Sequence, residues 1–494
     1  MSANGDLHRA CRVEEVHGAF SLVDVLELWS AAPYTALLES LGTPSRVSRY
    51  SILCGDPFLV FRAKGAACFA GPPGRLEKLP GAPLDELAAL LRRYGAPLPD
   101  APGDLPFLGG AVGYLGYELL HQLERVPENP HDDLGVPDAY LLFCDTALVA
   151  DAVTGKRWLV ANGFHPSPEG AKRQAEARLA QAREGLEKTL GDRARLARER
   201  AVLSERTGRL REEDLARDAI RSATGRGPYL RAVAEVKEQL RDGAIYQACL
   251  THRLEAEFQG PGLGLYRVLR RTNPSPFAAC LRFPEVEVLS SSPERFLRLD
   301  RSGWAEMRPI KGTRPRGCHP AEDERLRHEL AQSEKDRAEN VMIVDLARND
   351  LGRVSELGTV HVPDLQAVEP HPFTFQMVST VRGRIREGLG PIDVLRAAFP
   401  GGSMTGAPKI EAMKLLSRLE PVRRDIYSGS LGYFDFDGSF DLNIVIRTFV
   451  KRGNRLFFHV GGGIVADSTA EDEYQETLDK AHALVRALEA ARAG

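Results

Sequence analysis

The sequence has few cysteines, and their arrangement excludes two kinds of protein. The seven cysteines are scattered through 494 residues, and none forms a CxxC pair. We therefore expect neither a structural zinc site nor a disulfide framework, and a reducing cytoplasm is the expected location. No cysteine lies in a G-x-C-x-G turn, the setting of a glutaminase nucleophile. The chain is therefore not expected to release ammonia from glutamine by itself.

The sequence also lacks a strong net charge, a long apolar run and any internal repeat. Its formal net charge of -3 gives no general attraction to nucleic acid. No apolar run approaches the roughly 18 residues of a membrane span. The first residues lack the basic and apolar segments of a signal peptide. We expect neither a nucleic-acid partner nor a membrane partner.

The composition is that of a globular protein, with 43% hydrophobic and 27% charged residues. The character of the sequence changes along the chain. These changes predict an N-terminal region over 1–166, a charged helix and linker over 167–227, and a C-terminal region over 228–494. Predicted strands and helices are mixed without a regular βαβ order, so we expect an α+β fold.

Several local patterns predict individual elements. PLDELAALLRRYG predicts a helix that ends at Gly95, and residues 151–156 are expected to form the turn of a hairpin. A long helical stretch with few breakers is predicted over ERLRHELAQSEKDRAENVMIVDLARNDLGRV. FDLNIVIRTFVKRGNRLFFHVGGGIVA predicts two strands around a turn at 451–454, and EDEYQETLDKAHALVRALEAARA predicts a final helix.

Three glutamates are candidates for a metal site. Glu339 precedes the apolar run VMIVDLA on the predicted long helix, and Glu473 and Glu476 share one face of the final helix. An exposed helical glutamate is ordinarily a surface residue. However, the glycines of GGGIVADS allow the backbone to approach a ligand closely, and converging carboxylates would suit Mg²⁺.

Two charged residues each allow two interpretations. Arg447 lies in the apolar segment NIVIRTF, where burial demands an anionic partner. That partner is either an internal carboxylate or a ligand carboxylate, which a guanidinium can bind with two hydrogen bonds. Glu294 in SSSPERF is either a residue of a helix N-terminus or, in a cleft, a general acid whose pKa is raised by burial.

Two further segments carry lysines of uncertain role. GGSMTGAPK does not match a phosphate-binding loop, because Ala407 and Pro408 separate Gly406 from Lys409. We expect instead an anion-binding turn followed by a helix start at Pro408. Lys311 in RPIKGTRPRG is a surface charge, an anchor for an anionic ligand, or a nucleophile.

The segments RPIKGTRPR, DRAENVMIVDLARNDLGRV, AAFPGGSMTGAPKIEAM, IRT and GGGIVADSTAEDEYQETLDKA resemble the chorismate-utilising enzymes. This family includes anthranilate synthase component I, aminodeoxychorismate synthase component I, isochorismate synthase and salicylate synthase. The resemblance runs in order from about residue 228 to the C-terminus, and LLES and RYSILCGDP resemble the family's N-terminal region. It implies one body of packed antiparallel β-sheets flanked by helices, with the active cleft built mostly from the C-terminal half.

Two positions imply the reaction within this family. Members that add water carry a lysine base at the position of Gln247, whereas ammonia needs no such base. Lys311 stands in PIKGT, as is typical of aminodeoxychorismate synthases, whereas anthranilate synthases typically have PIAGT. The resemblance implies that Lys311 attacks C2 of chorismate while Glu294 protonates the departing hydroxyl, and that ammonia then replaces the lysine. The product would be 4-amino-4-deoxychorismate, for 4-aminobenzoate and folate synthesis.

The resemblance also implies ligands and partners. Mg²⁺ would be held by Glu339 and Glu476 with support from Glu473. A desolvated site with neighbouring cations such as Arg308 or Arg314 would favour the neutral amine of the nucleophile. Chorismate would be the substrate, and a separate glutamine amidotransferase would supply ammonia. The implied substrate-binding residues are Thr313, Thr405, Gly406, Tyr427, Arg447, Gly463 and Lys480.

The sequence departs from the family pattern at Gln376 in FQMVST, where relatives usually have a histidine linked to pyruvate loss. Glutamine cannot shuttle a proton near neutral pH, which weakens an anthranilate-forming interpretation. LLES and NPSPF resemble parts of a tryptophan pocket, with Ser40, Arg49, Tyr50 and Pro276 as candidates. The alternatives are anthranilate synthase component I and, from another class, a catalytically silent protein that senses tryptophan.

Overall fold

The strands of the chain form two large sheets in the computed structural model. The described residues are 7–18, 20–29, 33–45, 47–95, 105–191 and 210–493. Residues 1–6 and part of the predicted linker, 192–209, lie outside them. Within the described residues each sheet has twelve strands, and neighbouring strands run antiparallel.

The first sheet, sheet I, combines strands from both ends of the chain. Short β20 (Gly406–Ala407) pairs with the start of β12. In spatial order the other strands are β1 (His8–Val16), β10 (Arg157–His165), β9 (Thr146–Asp151), β3 (Tyr50–Gly55), β2 (Thr35–Glu39), β13 (Phe277–Arg282), β14 (Glu287–Ser292), β23 (Thr448–Arg452), β24 (Arg455–Ile464), β12 (Gln247–Glu257) and β11 (Arg221–Ser222).

The second sheet, sheet II, is built in the same mixed way. Its edge strand β18 (His361–Pro370) pairs with β19. In spatial order the other strands are β17 (Ile310–Pro315), β19 (Thr374–Arg384), β16 (Trp304–Met307), β15 (Arg295–Leu299), β22 (Phe440–Ile444), β21 (Ser430–Asp435), β7 (Gly110–Leu115), β8 (Ala139–Cys144), β4 (Leu59–Lys64), β5 (Ala67–Gly71) and β6 (Glu77–Lys78).

Helices connect and cover these strands. None of the helices in the described part of the chain combines the length and the apolar character that a membrane span requires. They are α1 (Leu22–Trp29), α2 (Pro83–Tyr94), α3 (Pro168–Gly191), α4 (Glu212–Arg217), α5 (Arg226–Arg241), α6 (Gly262–Thr272), α7 (Pro320–Gln332), α8 (Glu334–Gly352), α9 (Pro391–Ala398), α10 (Lys409–Leu419) and α11 (Ala470–Ala493), with 3₁₀ turns at Tyr117–Gln122 and Gly402–Met404.

The sheets stack face to face, and helices cover their outer faces. The cluster between the sheets draws apolar side chains from both of them, including Ile52, Val149, Leu281, Val60, Tyr114 and Leu142. Sheet I packs on its other side against α1, α5, α6 and α11, and sheet II against α2, α8 and α9. The expected α+β body of packed antiparallel sheets flanked by helices is therefore confirmed.

The predictions of local structure are confirmed for elements whose sequence signals all lie within one short stretch of the chain. Helix α2 ends at Tyr94 with Gly95 as its C-cap, strands β9 and β10 enclose the predicted hairpin turn, and α3 and α11 lie where charged helices were expected. Each of these elements has its periodicity and its stop residue within one short stretch of sequence.

The predicted pair of strands around the turn at 451–454 is confirmed by β23 and β24. The first of them is shorter than expected, because FDLNIVIRTFVKR contains two strands that belong to different sheets. Strand β22 belongs to sheet II, whereas β23 and β24 belong to sheet I. The chain crosses between the sheets just after Ile444, and Arg447 adopts a φ of 50° at the crossing instead of lying within a strand. Both sheets bury apolar side chains there, so hydrophobicity alone gives no sign of the crossing.

The predicted long helical stretch is confirmed as helical but is not continuous, since Ser333 divides it into α7 and α8. The Ser333 hydroxyl accepts a hydrogen bond from the Asp336 amide at 3.3 Å, which caps the second helix. After the break, α8 packs against sheet II. Glu339 lies in the second turn of this helix.

Candidate active site

Lys311 lies in an irregular part of β17. The pairing of β17 with β19 shifts register between Ile310 and Thr313, and such bulges re-aim side chains. The Lys311 side chain is 13% exposed, and its Nζ lies 3.9 Å from Oε2 of Glu339. A Cβ atom on Gly463 would lie 3.3 Å from this Nζ. This partly buried amine is not a solvated surface charge, which leaves the anchor and nucleophile interpretations.

The side chains of Gln247 and Lys311 both lie next to Gly463 of β24. Its side chain is fully buried, and neither amide atom has a hydrogen-bond partner within the described residues. A Cβ on Gly463 would lie 2.5 Å from Nε2 of Gln247. Gly406 in β20 has a φ of 147°, and a Cβ there would lie 2.1 Å from the Gln247 carbonyl oxygen, so only glycine fits. An unpaired buried amide is costly unless a ligand completes its hydrogen bonds.

Glu294 lies between β14 and β15, where the chain passes from sheet I to sheet II. Its interpretation as a residue of a helix N-terminus is therefore wrong. Burial raises the pKa of the Glu294 carboxyl to about 7, and Ser403 and Lys311 offset part of this effect. A carboxyl with this pKa holds a proton for part of the time at neutral pH, as a general acid must.

The three candidate metal ligands lie on two helices, with Glu339 on α8 and with Glu473 and Glu476 on α11, which packs against β24. Burial raises the pKa of Glu339, and Lys311 offsets part of the shift. Burial also raises the pKa of Glu473, whose Oε1 accepts a hydrogen bond from Ser468 at 2.6 Å. The side chain of Glu476 is 47% exposed, and its partial loss of solvent opposes ionisation, but Lys480 at 2.7 Å holds the pKa of Glu476 below its usual value.

The donors present fit a magnesium ion that is bound through few protein ligands. Within the described residues, no group of three His, Cys, Asp or Glu side chains is placed to hold a metal ion. Mg²⁺ is commonly held by one or two carboxylates and completes its shell with water and substrate oxygens. The buried Oε2 of Glu473 has no hydrogen-bond partner in the described part of the chain. A Cβ on Gly462 would lie 2.7 Å from this oxygen, so the glycine leaves room for the carboxylate.

Arg447 has the character of a ligand-binding cation. Burial lowers the pKa of its guanidinium, and no carboxylate is paired with it among the described residues. Its carbonyl oxygen accepts a hydrogen bond from the Ser291 amide at 3.1 Å, which fixes its backbone. An arginine that has lost solvent without gaining an internal salt bridge favours the second interpretation, a clamp for a ligand carboxylate.

The other predicted substrate residues divide into two groups. Lys480 donates a hydrogen bond to the Gly461 carbonyl at 2.8 Å, beside the glycines at Lys311. Thr405 is fully buried, and its carbonyl accepts from the Cys249 amide at 2.8 Å. Tyr427 is also buried and stacks on His459, with ring centroids 5.0 Å apart. Thr313 is exposed on β17, and the Lys480 side chain is 44% exposed, so only Thr405 and Tyr427 form the buried group.

Gln376 lies opposite Thr313 in the ladder between β17 and β19. Its side chain is 3% exposed, and its Oε1 has no hydrogen-bond partner within the described residues. The amide therefore occupies a buried polar position that a ligand could complete. Unlike an imidazole, it cannot take up a proton there.

Arg308 and Arg314 do not act as free cations beside Lys311, contrary to expectation. Arg308 is paired with Glu369. Arg314 lies 3.1 Å from Glu329 and 3.0 Å from Asp336. Each guanidinium charge is therefore balanced by a carboxylate of its own.

The four candidates for a tryptophan pocket do line one cavity of about 550 Å³. Its apolar wall includes Ile52 and Pro276. Arg49 bonds Asp151 at 2.9 Å and lies over the Tyr50 ring, 4.7 Å from its centroid. The Ser40 hydroxyl donates to the Pro276 carbonyl at 3.1 Å. The cavity combines apolar and charged surface suited to an amino acid, and tryptophan binding stays a prediction.

Three residues of the site escaped the sequence analysis although their motifs were singled out. Ser403 lies in GGSMTGAPK and acts on Glu294. Gly462 and Ser468 lie in GGGIVADS, where one leaves space for Glu473 and the other bonds it. Small residues inside a motif give little indication of which neighbour they serve.

Comparisons with known proteins show the family of this chain. A family model described as chorismate binding enzyme matches residues 40–486. Aminodeoxychorismate synthase of Streptomyces griseus is 44% identical over 393 residues, which are 79% of this chain and 52% of that protein. The chain thus spans about half the length of that relative. Anthranilate synthase component 1 of Thermus thermophilus is 41% identical over 473 residues, 95% of each chain.

A solved structure shares the fold. The crystal structure of anthranilate synthase component I from Streptococcus pneumoniae TIGR4 matches with a TM-score of 0.73 and 28% identity, over 90% of this chain and 93% of that one. The two sequence relatives carry different product names at similar identity, so the residues around Lys311 must decide between the two reactions.

Proposed function

This chain belongs to the family of chorismate binding enzymes, and from that premise we propose that it replaces the C4 hydroxyl of chorismate by an amine. The product is 4-amino-4-deoxychorismate, the product of an aminodeoxychorismate synthase component I. The observation that carries this proposal is the position of Lys311. Its amine lies 3.9 Å from the carboxylate of Glu339 and next to Gly463, beside which the unpaired amide of Gln247 also lies.

The proposed chemistry uses two displacements. The neutral amine of Lys311 attacks C2 of the ring, the double bonds shift, and the C4 oxygen leaves. Glu294 gives its proton to that oxygen, so water departs and the amine proton is released. Ammonia then adds at C4, the double bonds shift back, and the C2–nitrogen bond breaks. The proton lost by the new C4 amine balances the proton regained by Lys311.

The remaining groups bind and orient the dianionic substrate. Arg447 is partly buried, has no carboxylate partner among the described residues and is suited to a substrate carboxylate. Glu339 and Glu476, with Glu473 in support, would hold Mg²⁺. When bound, this ion supplies positive charge at the ring carboxylate.

Gln376 supports retention of the enolpyruvyl group in the product. Loss of pyruvate requires removal of a ring proton, and this buried amide cannot accept one. The runner-up product, anthranilate, requires that proton transfer. The Thermus thermophilus relative named for that reaction is nevertheless as similar as the other relative, so the product must be identified directly.

Product identification tests the proposal. Purified protein should consume chorismate with Mg²⁺ and an ammonium salt and should form 4-amino-4-deoxychorismate, detected by mass spectrometry. Little pyruvate should appear until a separate lyase is added. Rapid pyruvate release with fluorescent anthranilate would instead establish the runner-up. A folded protein that binds tryptophan but consumes no chorismate would establish the silent sensing protein.

We also propose that a separate glutamine amidotransferase supplies the ammonia. The motivation is the absence of a G-x-C-x-G turn around any of the seven cysteines. We expect the purified chain to aminate chorismate with ammonium at raised pH, where more ammonia is neutral, and to be inactive with glutamine. Glutamine-dependent turnover by the pure chain would contradict this expectation.

Changes at the proposed metal ligands test the role of Mg²⁺. Glu339→Gln and Glu476→Gln should each raise the Mg²⁺ concentration needed for half-maximal binding by at least roughly tenfold. Isothermal calorimetry with MgCl₂ and chorismate measures this without turnover. Glu176→Gln is a control, because this residue pairs with Arg12 on the surface and is 59% exposed. Unchanged Mg²⁺ binding in both variants would show that the ligands are assigned wrongly.

A further inference from the structure

Asp425 is a buried carboxyl that the proposed mechanism does not use. It lies in the loop between α10 and β21 and is 4% exposed. Neither of its carboxylate oxygens has a hydrogen-bond partner within the described residues. Its φ is 52°, a conformation that Asp, Asn and Gly tolerate better than other residues. A buried ionised carboxylate without partners is very costly.

The charged groups around Asp425 do not balance it. Glu118 from the 3₁₀ turn and Asp132 from the following loop both oppose its ionisation. Lys64 from β4 favours ionisation, but it lies 2.7 Å from Asp132 and 3.1 Å from Asp138.

Arg253 from β12, the second nearby cation, is likewise engaged by Asp133 and by Glu255 at 2.7 Å. His121 lies 3.3 Å from Glu118 on the same 3₁₀ turn and is a partner for that carboxylate. Both nearby cations are therefore committed to other carboxylates. Burial, reinforced by Glu118, raises the pKa of Asp425 to about 8.

The residues on either side of Asp425 hold the proposed substrate site. Arg424 donates to the Met404 carbonyl at 2.7 Å and to the Cys249 carbonyl at 2.7 Å. Met404 precedes Thr405 in the glycine-rich turn, and the Cys249 amide donates to the Thr405 carbonyl. Tyr427, two residues after Asp425, donates its amide to the Arg424 carbonyl at 3.0 Å. Movement of Asp425 toward water would therefore displace groups on both sides of this turn.

We propose that Asp425 is a positioning residue that keeps the substrate turn in place while its carboxyl is protonated, and that its ionisation sets an alkaline limit on chorismate binding. This rests on the proposed substrate site, but not on which amine is formed. The limit falls in the range where ammonia becomes neutral. Ammonia supply and chorismate binding are thus opposed in their pH dependence.

Asp425→Asn is the sharpest test, because asparagine has the same shape, tolerates the same φ and carries no charge. The neutral carboxyl is favoured by folding, so the wild-type stability falls as pH rises from about 4 to about 8 and then levels. The melting temperature of the variant should therefore exceed that of the wild type by a margin that grows with pH. Asp56→Asn is the matched control, since Asp56 also has a positive φ, of 48°, but is exposed.

Chorismate binding gives the second measurement. The wild-type KM for chorismate should rise by about tenfold per pH unit above the pKa of Asp425, with kcat little changed, whereas the KM of Asp425→Asn should stay flat. If Asp425→Asn does not fold, Asp425→Gly is used in its place, because glycine also tolerates this φ. If the melting temperatures of wild type and variant depend on pH in the same way, Asp425 does not titrate as proposed. A melting difference with identical KM profiles would overturn the positioning role. An anthranilate product would overturn the proposed function alone.

Discussion

Lys311→Ala should lower the rate of chorismate amination by several orders of magnitude, because it removes the nucleophile on which both displacements depend. Chorismate should still bind through Arg447, Lys480 and the metal site. Intact-mass spectrometry of the wild type with chorismate and Mg²⁺, but without ammonia, should reveal an adduct equal to chorismate minus water. The adduct should map to Lys311 and be absent from the variant.

Lys311→Arg separates the nucleophile from an electrostatic anchor. Arginine keeps the positive charge beside Glu339 but remains protonated and cannot attack. If Lys311 is the nucleophile, the arginine variant should be as inactive as the alanine variant. Substantial activity in Lys311→Arg, or an intact rate in Lys311→Ala, would reduce Lys311 to an anchor and leave the product to be explained by direct attack of ammonia.

Glu294→Gln should lower kcat by roughly 10²–10⁴-fold, the usual contribution of a general acid, and should leave chorismate binding largely intact. Because burial raises the pKa of Glu294 to about 7, the fraction of wild-type enzyme with a protonated acid falls as pH rises through this value. The wild-type kcat at saturating ammonia should therefore fall as pH rises through this value, whereas the residual kcat of the variant should not.

Glu294→Gln should also stabilise the protein without substrate at higher pH. The folded state raises the pKa of Glu294 from 4.5 to about 7, so the carboxyl contributes stability that is full below about pH 4.5 and is lost as pH rises through 7. Glutamine has no charge to bury. The melting temperature of Glu294→Gln should therefore exceed that of the wild type more at pH 8 than at pH 5. A normal kcat with an unchanged pH profile would exclude Glu294 as the acid.

The sequence predicted elements whose cause is local and missed those whose cause is tertiary. The periodicity of α2 and its Gly95 stop lie within a dozen residues, and so does the β9–β10 hairpin. The chain crosses from β22 in sheet II to β23 in sheet I because the two sheets pack against each other, and no pattern within FDLNIVIRTFV reveals this crossing. Ser333 could have been recognised as a helix cap, because it precedes Glu334 and Asp336 in the next turn.

The candidate site divides in the same way. The glycines and acidic residues of GGGIVADSTAEDEYQET predicted where carboxylates meet backbone, and Gly462 and Glu473 do meet there. The partners of Arg308 and Arg314 come from Glu369, Glu329 and Asp336, which sequence distance hides. The buried environment of Asp425 was equally invisible, since Glu118 and Lys64 lie hundreds of residues away along the chain.

The two crossings between the sheets are joined to each other. The Ile444 amide donates to the Glu294 carbonyl at 3.0 Å, and the Ser291 amide donates to the Arg447 carbonyl at 3.1 Å. The chain segment that carries the proposed acid is therefore hydrogen-bonded to the segment that carries the proposed carboxylate clamp. Substitutions at the two positions should be energetically coupled, so that a double-mutant cycle departs from additivity. A change that alters protonation of the leaving group at Glu294 is therefore expected to alter substrate binding at Arg447 as well.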